Sequence, residues 1–333
     1  MARGPKEGVS LPAYWGIPLN TTNYITTVGL GTPARNLSPC TRCYKQHDPL
    51  YDPARSSMQE AQPQSCAAGG GGSSTCRYGL VYGDSTYTDG AVVRDTLTLA
   101  AATRSRASSS GAATTTTWGR YDEIDGILGL NRAKVSLASQ VAAAEHGGAG
   151  FSYCLLTAVV AQRRGVPRLR RRGRAVAAAP PANAQFTEMV ADRDIGVPSA
   201  AFAAGGGTII DSGTVISRLP PRAYAALRSA FARAMGNYER APVLSILDTC
   251  YNFTVNTRVR IPSVALVFAS GATLKLNARG VLYVSTVAQT CLGFASTGNE
   301  TYVNFLGNTQ EKTFTVIHNV ARQKIGFGLK GCN

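Results

Sequence analysis

The sequence predicts a mostly β chain folded into two related lobes with a few short helices, on three observations. First, apolar and polar residues alternate over the last third of the chain in short runs parted by turn residues: VRIPSVALVF, ATLKL, GVLYVS, AQTCLGFAS, KTFTVIHNV and QKIGFGLKGCN. A period of two marks strands that bury one face, and the regular turns make their pairing antiparallel. Second, an apolar-Leu-Gly string occurs in each half, at Ile127-Leu128-Gly129 and at Phe305-Leu306-Gly307, which implies two related lobes. Third, helical patterning is brief. One stretch runs from Ser136 to His146 and stops at Gly147-Gly148. The other opens at Pro220-Pro221-Arg222, sets Tyr224, Leu227 and Phe231 on one face and closes at Gly236.

A chain of 333 residues, 44% hydrophobic and 16% charged, has the length and composition for two medium domains with substantial cores. No run approaches the 18 or so apolar residues of a membrane span, and MARGPKEGVSLPAYWG lacks the apolar centre of a signal peptide. The net charge of +15 suggests nucleic acid until it is located: seven arginines lie between Arg163 and Arg174. That segment has no periodicity, repels itself and carries no interleaved aromatics, so it reads as a protease-sensitive loop and nucleic acid is not an expected partner. The eight cysteines are even in number and spread over both halves, while His47, His146 and His318 are too scattered to complete a zinc set with Cys40 and Cys43. Disulfides in an oxidising compartment are expected, with no metal. Sequons at Asn20, Asn36, Asn252 and Asn299 are compatible with a secreted glycoprotein.

In chain order, NYITTVGLG from Asn23 leads a strand into Gly31-Thr32-Pro33, and RNLSPCTRCYKQHDPLYDPARSS follows. Cys76 to Leu99 gives two β runs around Tyr82, Gly83 and Asp84; on these residues alone, an exposed hairpin with a packing tyrosine and a closing flap are both open. Residues 100 to 117 are polar and of low complexity, and disorder is expected there. FSYCLL at Phe151 precedes the arginine segment. The chemistry gathers at GGGTIIDSGTVISRL, Gly205 to Leu219. Ile209 and Ile210 run a buried strand into Asp211, and Ser212-Gly213-Thr214 turn the chain. The hydroxyls on either side of the glycine can donate hydrogen bonds to the carboxylate, and the glycine admits a close backbone.

Apolar-apolar-Asp-Ser-Gly-Thr followed by apolar-Leu-Gly resembles one lobe of the pepsin-like aspartic proteases. Pro39-Cys40-Thr41-Arg42-Cys43-Tyr44 and the Asp-Pro spacing at Asp48 and Asp52 resemble the nepenthesin-type branch in plants. The resemblance implies a two-lobed pepsin-like fold: an N-terminal lobe at 19–157, an irregular connection at 158–198, and a C-terminal lobe at 199–333 carrying Asp211. It also implies a monomer without cofactor, secreted or vacuolar, acting as an endopeptidase on a polypeptide substrate in the cleft between lobes. Asp211 falls on a catalytic aspartate, Tyr82, Gly83 and Asp84 on the flap, and Gly213 and Thr214 on the substrate-binding turn. Bridges Cys250 to Cys291 and Cys154 to Cys332 are implied likewise.

Three departures qualify that expectation. The family pattern has Gly-Ser after the flap aspartate, where this chain has Ser85-Thr86. Asp248-Thr249 imitates a catalytic string but continues into Cys250, and the family carries it as structure. The third is chemical. Pepsin-like hydrolysis uses two carboxylates sharing one proton around a water. The first Asp-Thr/Ser-Gly belongs between Gly-Thr-Pro and Pro-Cys, where only Ala34-Arg35-Asn36-Leu37-Ser38 stand, and no N-terminal aspartate from Asp48 to Asp125 carries the continuation. The alternative is therefore an inactive pepsin-like protein acting as a protein-binding or inhibitor module, as the xylanase inhibitors among related proteins do.

Overall fold

The computed structural model describes residues 11, 13–16, 21–31, 59–60, 77–83, 85–100, 103–116, 126–131, 133, 135–144, 151–155, 186–190, 193–197, 199–203, 207–268, 271–312, 314–319 and 324–329. The chain divides into two compact units, Met1–Phe151 with Arg168–Arg171 and Ser152–Pro167 with Arg172–Asn333. The arginine segment lies outside the described residues.

The first unit contains β1 (Tyr14–Trp15), β2 (Tyr24–Ile25), β3 (Gly29–Leu30), β4 (Gln59–Glu60), β5 (Arg77–Val81), β6 (Tyr87–Ala100), β7 (Thr103–Thr116) and α1 (Leu137–Ala144). β6 is its spine, pairing antiparallel with β3, β4, β5 and β7. Its side chains keep the period of two, burying Val93, Asp95, Leu97 and Leu99 while Arg94 faces out. Leu97 and Leu99 join Leu11 and Leu137 in a small apolar cluster. Ser136 caps α1, its hydroxyl accepting the Ser139 N–H at 3.2 Å.

The disorder expected at 100–117 is corrected by β7, which pairs with β6 from Thr88 opposite Thr116 to Ala100 opposite Thr103. Low apolar content argues against a core of its own, but the ladder is made by backbone groups. β6 offers an edge of N–H and C=O groups that must be satisfied, and a proline-free segment ending in consecutive threonines can satisfy them.

The second unit begins in β8 (Phe151–Cys154) and continues through β9 (Phe186–Val190), β10 (Arg193–Asp194), β11 (Thr208–Asp211), β12 (Ser217–Leu219), α2 (Pro221–Ala234), β13 (Arg240–Ala241), β14 (Cys250–Tyr251), β15 (Val264–Phe268) and β16 (Thr273–Leu276). It ends with α3 (Ala278–Val281), β17 (Leu282–Thr286), β18 (Gln289–Leu292), β19 (Phe294–Ser296), β20 (Asn304–Gly307), α4 (Asn308–Glu311), β21 (Phe314–Asn319) and β22 (Lys324–Leu329). Four sheets result, ordered β10-β9-β15-β16, β11-β20-β12-β19, β13-β14-β18-β17 and β22-β21-β8. The mostly β class with few short helices holds.

α2 forms as its pattern dictates. Pro221 fills the first turn, where no N–H is needed, and Ala223, Tyr224, Leu227 and Phe231 are buried on one face. That face enters a large core with Phe202, Leu274, Leu292 and Phe294. Cys250 and Cys291 stand opposite each other on β14 and β18 and are bridged. Such a bridge typically stabilises by about 2–4 kcal/mol. Cys154 is also disulfide-bonded, while Cys332 lies outside the described residues.

Candidate functional site

Asp211 is the last residue of β11, and its position follows from how β20 is held. β20 runs parallel to β11, with Ile209 opposite Phe305, Ile210 opposite Leu306 and Asp211 opposite Gly307, and antiparallel to β12 at Arg218 opposite Phe305. The turn between β11 and β12 folds over the end of β20. A Cβ at Gly307 would lie 2.7 Å from the Thr214 carbonyl oxygen and 3.1 Å from the Ser217 nitrogen. Only glycine fits there, which is the physical content of apolar-Leu-Gly. The Gly307 N–H donates to Ser217 Oγ at 2.8 Å, and the Asn308 N–H to the Thr214 carbonyl at 2.8 Å. Gln310, buried in α4, accepts from the Ser217 hydroxyl and donates to the Gly280 and Gly293 carbonyls at 2.8 and 2.9 Å.

Within this frame the Asp211 carboxylate accepts the Gly213 N–H on Oδ1 at 3.0 Å and the Thr214 hydroxyl on Oδ2 at 2.5 Å. The Thr214 N–H closes the turn on the Asp211 carbonyl at 3.0 Å. The expectation that both flanking hydroxyls serve Asp211 is half corrected. Ser212 turns away, because Oε2 of Glu311 takes its hydroxyl at 2.7 Å.

Glu311 was not legible as part of this site. It is 0% exposed at the end of α4. Burial raises its carboxyl to about 7, the Ser212 and Tyr153 hydroxyls pull it down, and the negative charge of Asp211 raises it. Tyr153 on β8 is half-buried: desolvation and the neighbouring Glu311 push its phenol up, and it hydrogen-bonds with both Ser212 and Glu311. Behind it His318 of β21 stacks on the Tyr153 ring, centroids 5.7 Å apart, with burial lowering its imidazole to about 4. Lys312, the next residue after Glu311, is brought down to about 8 by burial. FSYC supplies Tyr153 and KTFTVIHNV supplies His318, but nothing in either string announces the meeting.

The other sequence-derived candidates fall elsewhere. Tyr82 and Gly83 sit in the β5–β6 turn of the first unit, where the Tyr82 N–H donates to the Thr86 carbonyl at 2.8 Å and the Ser85 N–H to the Tyr82 carbonyl at 3.0 Å. Asp84 lies outside the described residues. Asp248 is structural: it accepts the Tyr224 hydroxyl, Thr249 Oγ1 at 2.7 Å and Arg228 Nη1 at 2.8 Å. Burial acts to raise its carboxyl, but these three donors together hold it below the usual range. A depression of about 500 Å³ is lined by Arg228, Arg240, Asp248 and Tyr251 among others, and none of its lining residues belongs to the Asp211 turn. Among the described residues no cluster of His, Cys, Asp and Glu could hold a metal, and no helix is long and apolar enough to cross a membrane.

Comparison with known proteins agrees with this architecture. A family model described as xylanase inhibitor N-terminal matches residues 24–166, and one described as xylanase inhibitor C-terminal matches residues 189–328. An aspartyl protease family protein of Arabidopsis thaliana is 34% identical, the alignment covering 98% of this chain and 76% of that protein. Aspartic proteinase nepenthesin-2 of Nepenthes gracilis is 24% identical over 96% of this chain and 80% of its own length. Basic 7S globulin from soybean shares the fold, with a TM-score of 0.74 at 18% identity over 97% of this chain and 95% of that one. By its sequence kinship over nearly its whole length, and by the Asp211 turn folded over Gly307, the chain belongs to the pepsin-like aspartyl protease family of plants, with nepenthesin-type relatives.

Proposed function

We propose that this chain binds extended polypeptide at the Asp211 turn and does not hydrolyse it by the two-aspartate mechanism. One observation carries the reading: the Asp211 carboxylate is fixed by Gly213 and Thr214 at the end of its strand, yet the N-terminal half contains no second Asp-Ser/Thr-Gly. A single ionised carboxylate can hold a water and act as a base. It cannot also donate the proton that polarises the scissile carbonyl. Proton transfer from one positioned group is typically worth about 10²–10⁴ in rate, and loss of the pair costs at least that. Glu311 does not restore the pair, because a fully buried carboxyl reaches no substrate.

The lineage is an endopeptidase of secreted or vacuolar type, and the Cys250–Cys291 bridge fits an oxidising compartment. The xylanase-inhibitor descriptions of both matching family models favour a protein ligand over a peptide to be cut. The test is hydrolysis of a denatured protein at acid pH, with and without a transition-state-mimicking peptide inhibitor, by the full chain and its Asp211→Asn variant. The expected result is no inhibitor-sensitive cleavage by either, with the inhibitor bound at least about tenfold more weakly by the variant. Inhibitor-sensitive cleavage that vanishes in Asp211→Asn would establish an active protease and overturn the proposal.

A further inference from the structure

The second unit holds a carboxyl that no step of the proposed function uses. Glu311 is sealed in α4, its Oε2 accepts the Ser212 hydroxyl at 2.7 Å, and its Oε1 has no hydrogen-bond partner. An ionised carboxylate in such a place would leave one oxygen buried away from water and bare of donors, a costly arrangement for a charge. A neutral acid tolerates it. Ser212 is the residue after Asp211, and its carbonyl accepts Asn308 Nδ2 at 3.1 Å. Glu311 and Asn308, both of α4, therefore hold the residue next to Asp211, while Gly213 and Thr214 bind the Asp211 carboxylate.

We propose that Glu311 is a positioning residue for Asp211: in its neutral form it seats Ser212 and fixes the turn, and on ionising it sets a second negative charge behind Asp211 and loosens that turn. The turn is then an acid-side device, held at the low pH of an acidic compartment and released as the medium approaches neutrality. The groups facing Glu311 account for the direction. Tyr153 of β8 and Ser212 donate to it, Asp211 opposes its ionisation, and burial favours the proton. Of the other charged or titratable groups near α4, namely Lys312, Arg218 of β12, Arg279 of α3 and His318 of β21, none is among the influences on its proton. Glu311 touches no substrate, so its effect runs through Ser212. The proposal rests on Asp211 being the working carboxylate of the site above.

The experiment reads the proton directly. In the full chain with ¹³C-labelled glutamate, side-chain carboxyl resonances are followed from about pH 4 to about pH 9. The expected result is one glutamate titrating near 7, lost in Glu311→Gln and moved at least about half a unit lower in Asp211→Asn, where the opposing charge is gone. Exchange of the Gly213 and Thr214 amides should accelerate through that midpoint by about tenfold beyond the intrinsic rise. Glu311→Gln, which keeps shape and can still accept from Ser212, should abolish that extra acceleration. All glutamates titrating below about pH 5.5, or a midpoint indifferent to Asp211→Asn, would overturn the proposal. Both readouts are independent of hydrolysis and of inhibitor binding, so a failed functional proposal leaves them intact and their failure leaves that proposal standing.

Discussion

The same three-residue string, apolar-Leu-Gly, has opposite fates in the two units. In the second, Leu306 is 2% exposed and a Cβ on Gly307 would collide with the backbone of the Asp211–Ser217 turn. In the first, residues 126–130 form no strand, Ile127 is 61% exposed, and a Cβ on Gly129 would meet nothing within 4 Å. The string does not fold by itself. In the second unit it has the aspartate-bearing strand β11 running parallel beside it. The glycine is thus a packing requirement in one unit and not in the other.

The sharpest way to break that comparison is to substitute both glycines. Gly307→Ala forces a methyl to within 2.7 Å of the Thr214 carbonyl and displaces the Asp211 turn. A loss of about 3 kcal/mol is expected, in the range of overpacked cores. Gly129→Ala meets no atom, and relief of unfolded-chain entropy should leave stability unchanged or raise it by up to about 1 kcal/mol. Denaturant midpoints of the two variants decide it. Equal losses would mean that residues 126–130 are as tightly sheathed as β20 and that the contrast is false.

A second difference is electrical, and it is of similar size. Among the described residues, the carboxyl and imidazole with large shifts, Glu311 and His318, both lie in the second unit. Glu311 rises from 4.5 to about 7, so its contribution is fully present below about 4.5 and lost as pH climbs through 7. His318 falls from 6.5 to about 4, so its contribution is present above 6.5 and lost as pH drops through 4. Each amounts to roughly 3 kcal/mol, and between about pH 4.5 and 6.5 the two slopes oppose each other. Glu311→Gln should therefore tilt stability upward with pH across that window, and His318→Phe, which keeps a ring against Tyr153, should tilt it downward. Urea midpoints taken at steps across the window would show it. Parallel profiles for both variants would mean that these groups titrate as they do in the unfolded chain.

How much of this the sequence disclosed follows from the range of the forces involved. The Asp211 strand, the one-sided face of α2 and the antiparallel runs after Asp248 are written in neighbouring residues, because periodicity and turn chemistry act within about ten positions; the burial expected of that strand is corrected, since Ile209 is 46% exposed and Ile210 only half-buried. Gly307 was legible as a motif, and the structure supplies its reason. Glu311 was invisible: Asn-Thr-Gln-Glu-Lys reads as an exposed polar stretch. All five residues are in fact buried, because Gln310 and Asn308 spend their amides on the distant carbonyls of Gly280, Gly293 and Ser212. Its meeting with Tyr153 joins residues far apart in the chain. β7 was misread for the opposite reason, since composition speaks to cores and says little about a ladder that another strand makes possible.

The smallest expected effect concerns the turn that the family resemblance marks as a flap. Ser85 adopts φ 68°, the left-handed region, at the position where the family pattern has glycine. In the second unit Ser245 is the corresponding non-glycine residue with positive φ, at 53°, and there the chain is pinned by reciprocal backbone bonds between Leu244 and Leu247 at 2.9 Å. At Ser85 two backbone bonds also close the turn: its own N–H on the Tyr82 carbonyl and the Tyr82 N–H on the Thr86 carbonyl. A side chain in the left-handed region costs about 1–2 kcal/mol, and glycine returns about 0.5–1 kcal/mol of that as extra unfolded-state entropy. Ser85→Gly should then stabilise the turn by roughly 0.5 kcal/mol, and Ser85→Val, β-branched and worse placed, should weaken it by more than that. Global unfolding is too coarse a readout for a surface turn, so the measurement is exchange of the Tyr82 amide. It should slow about twofold in Ser85→Gly and quicken in Ser85→Val. Faster exchange in Ser85→Gly would show that the turn is held by the Ser85 side chain, and that this chain's departure from the family pattern stiffens it.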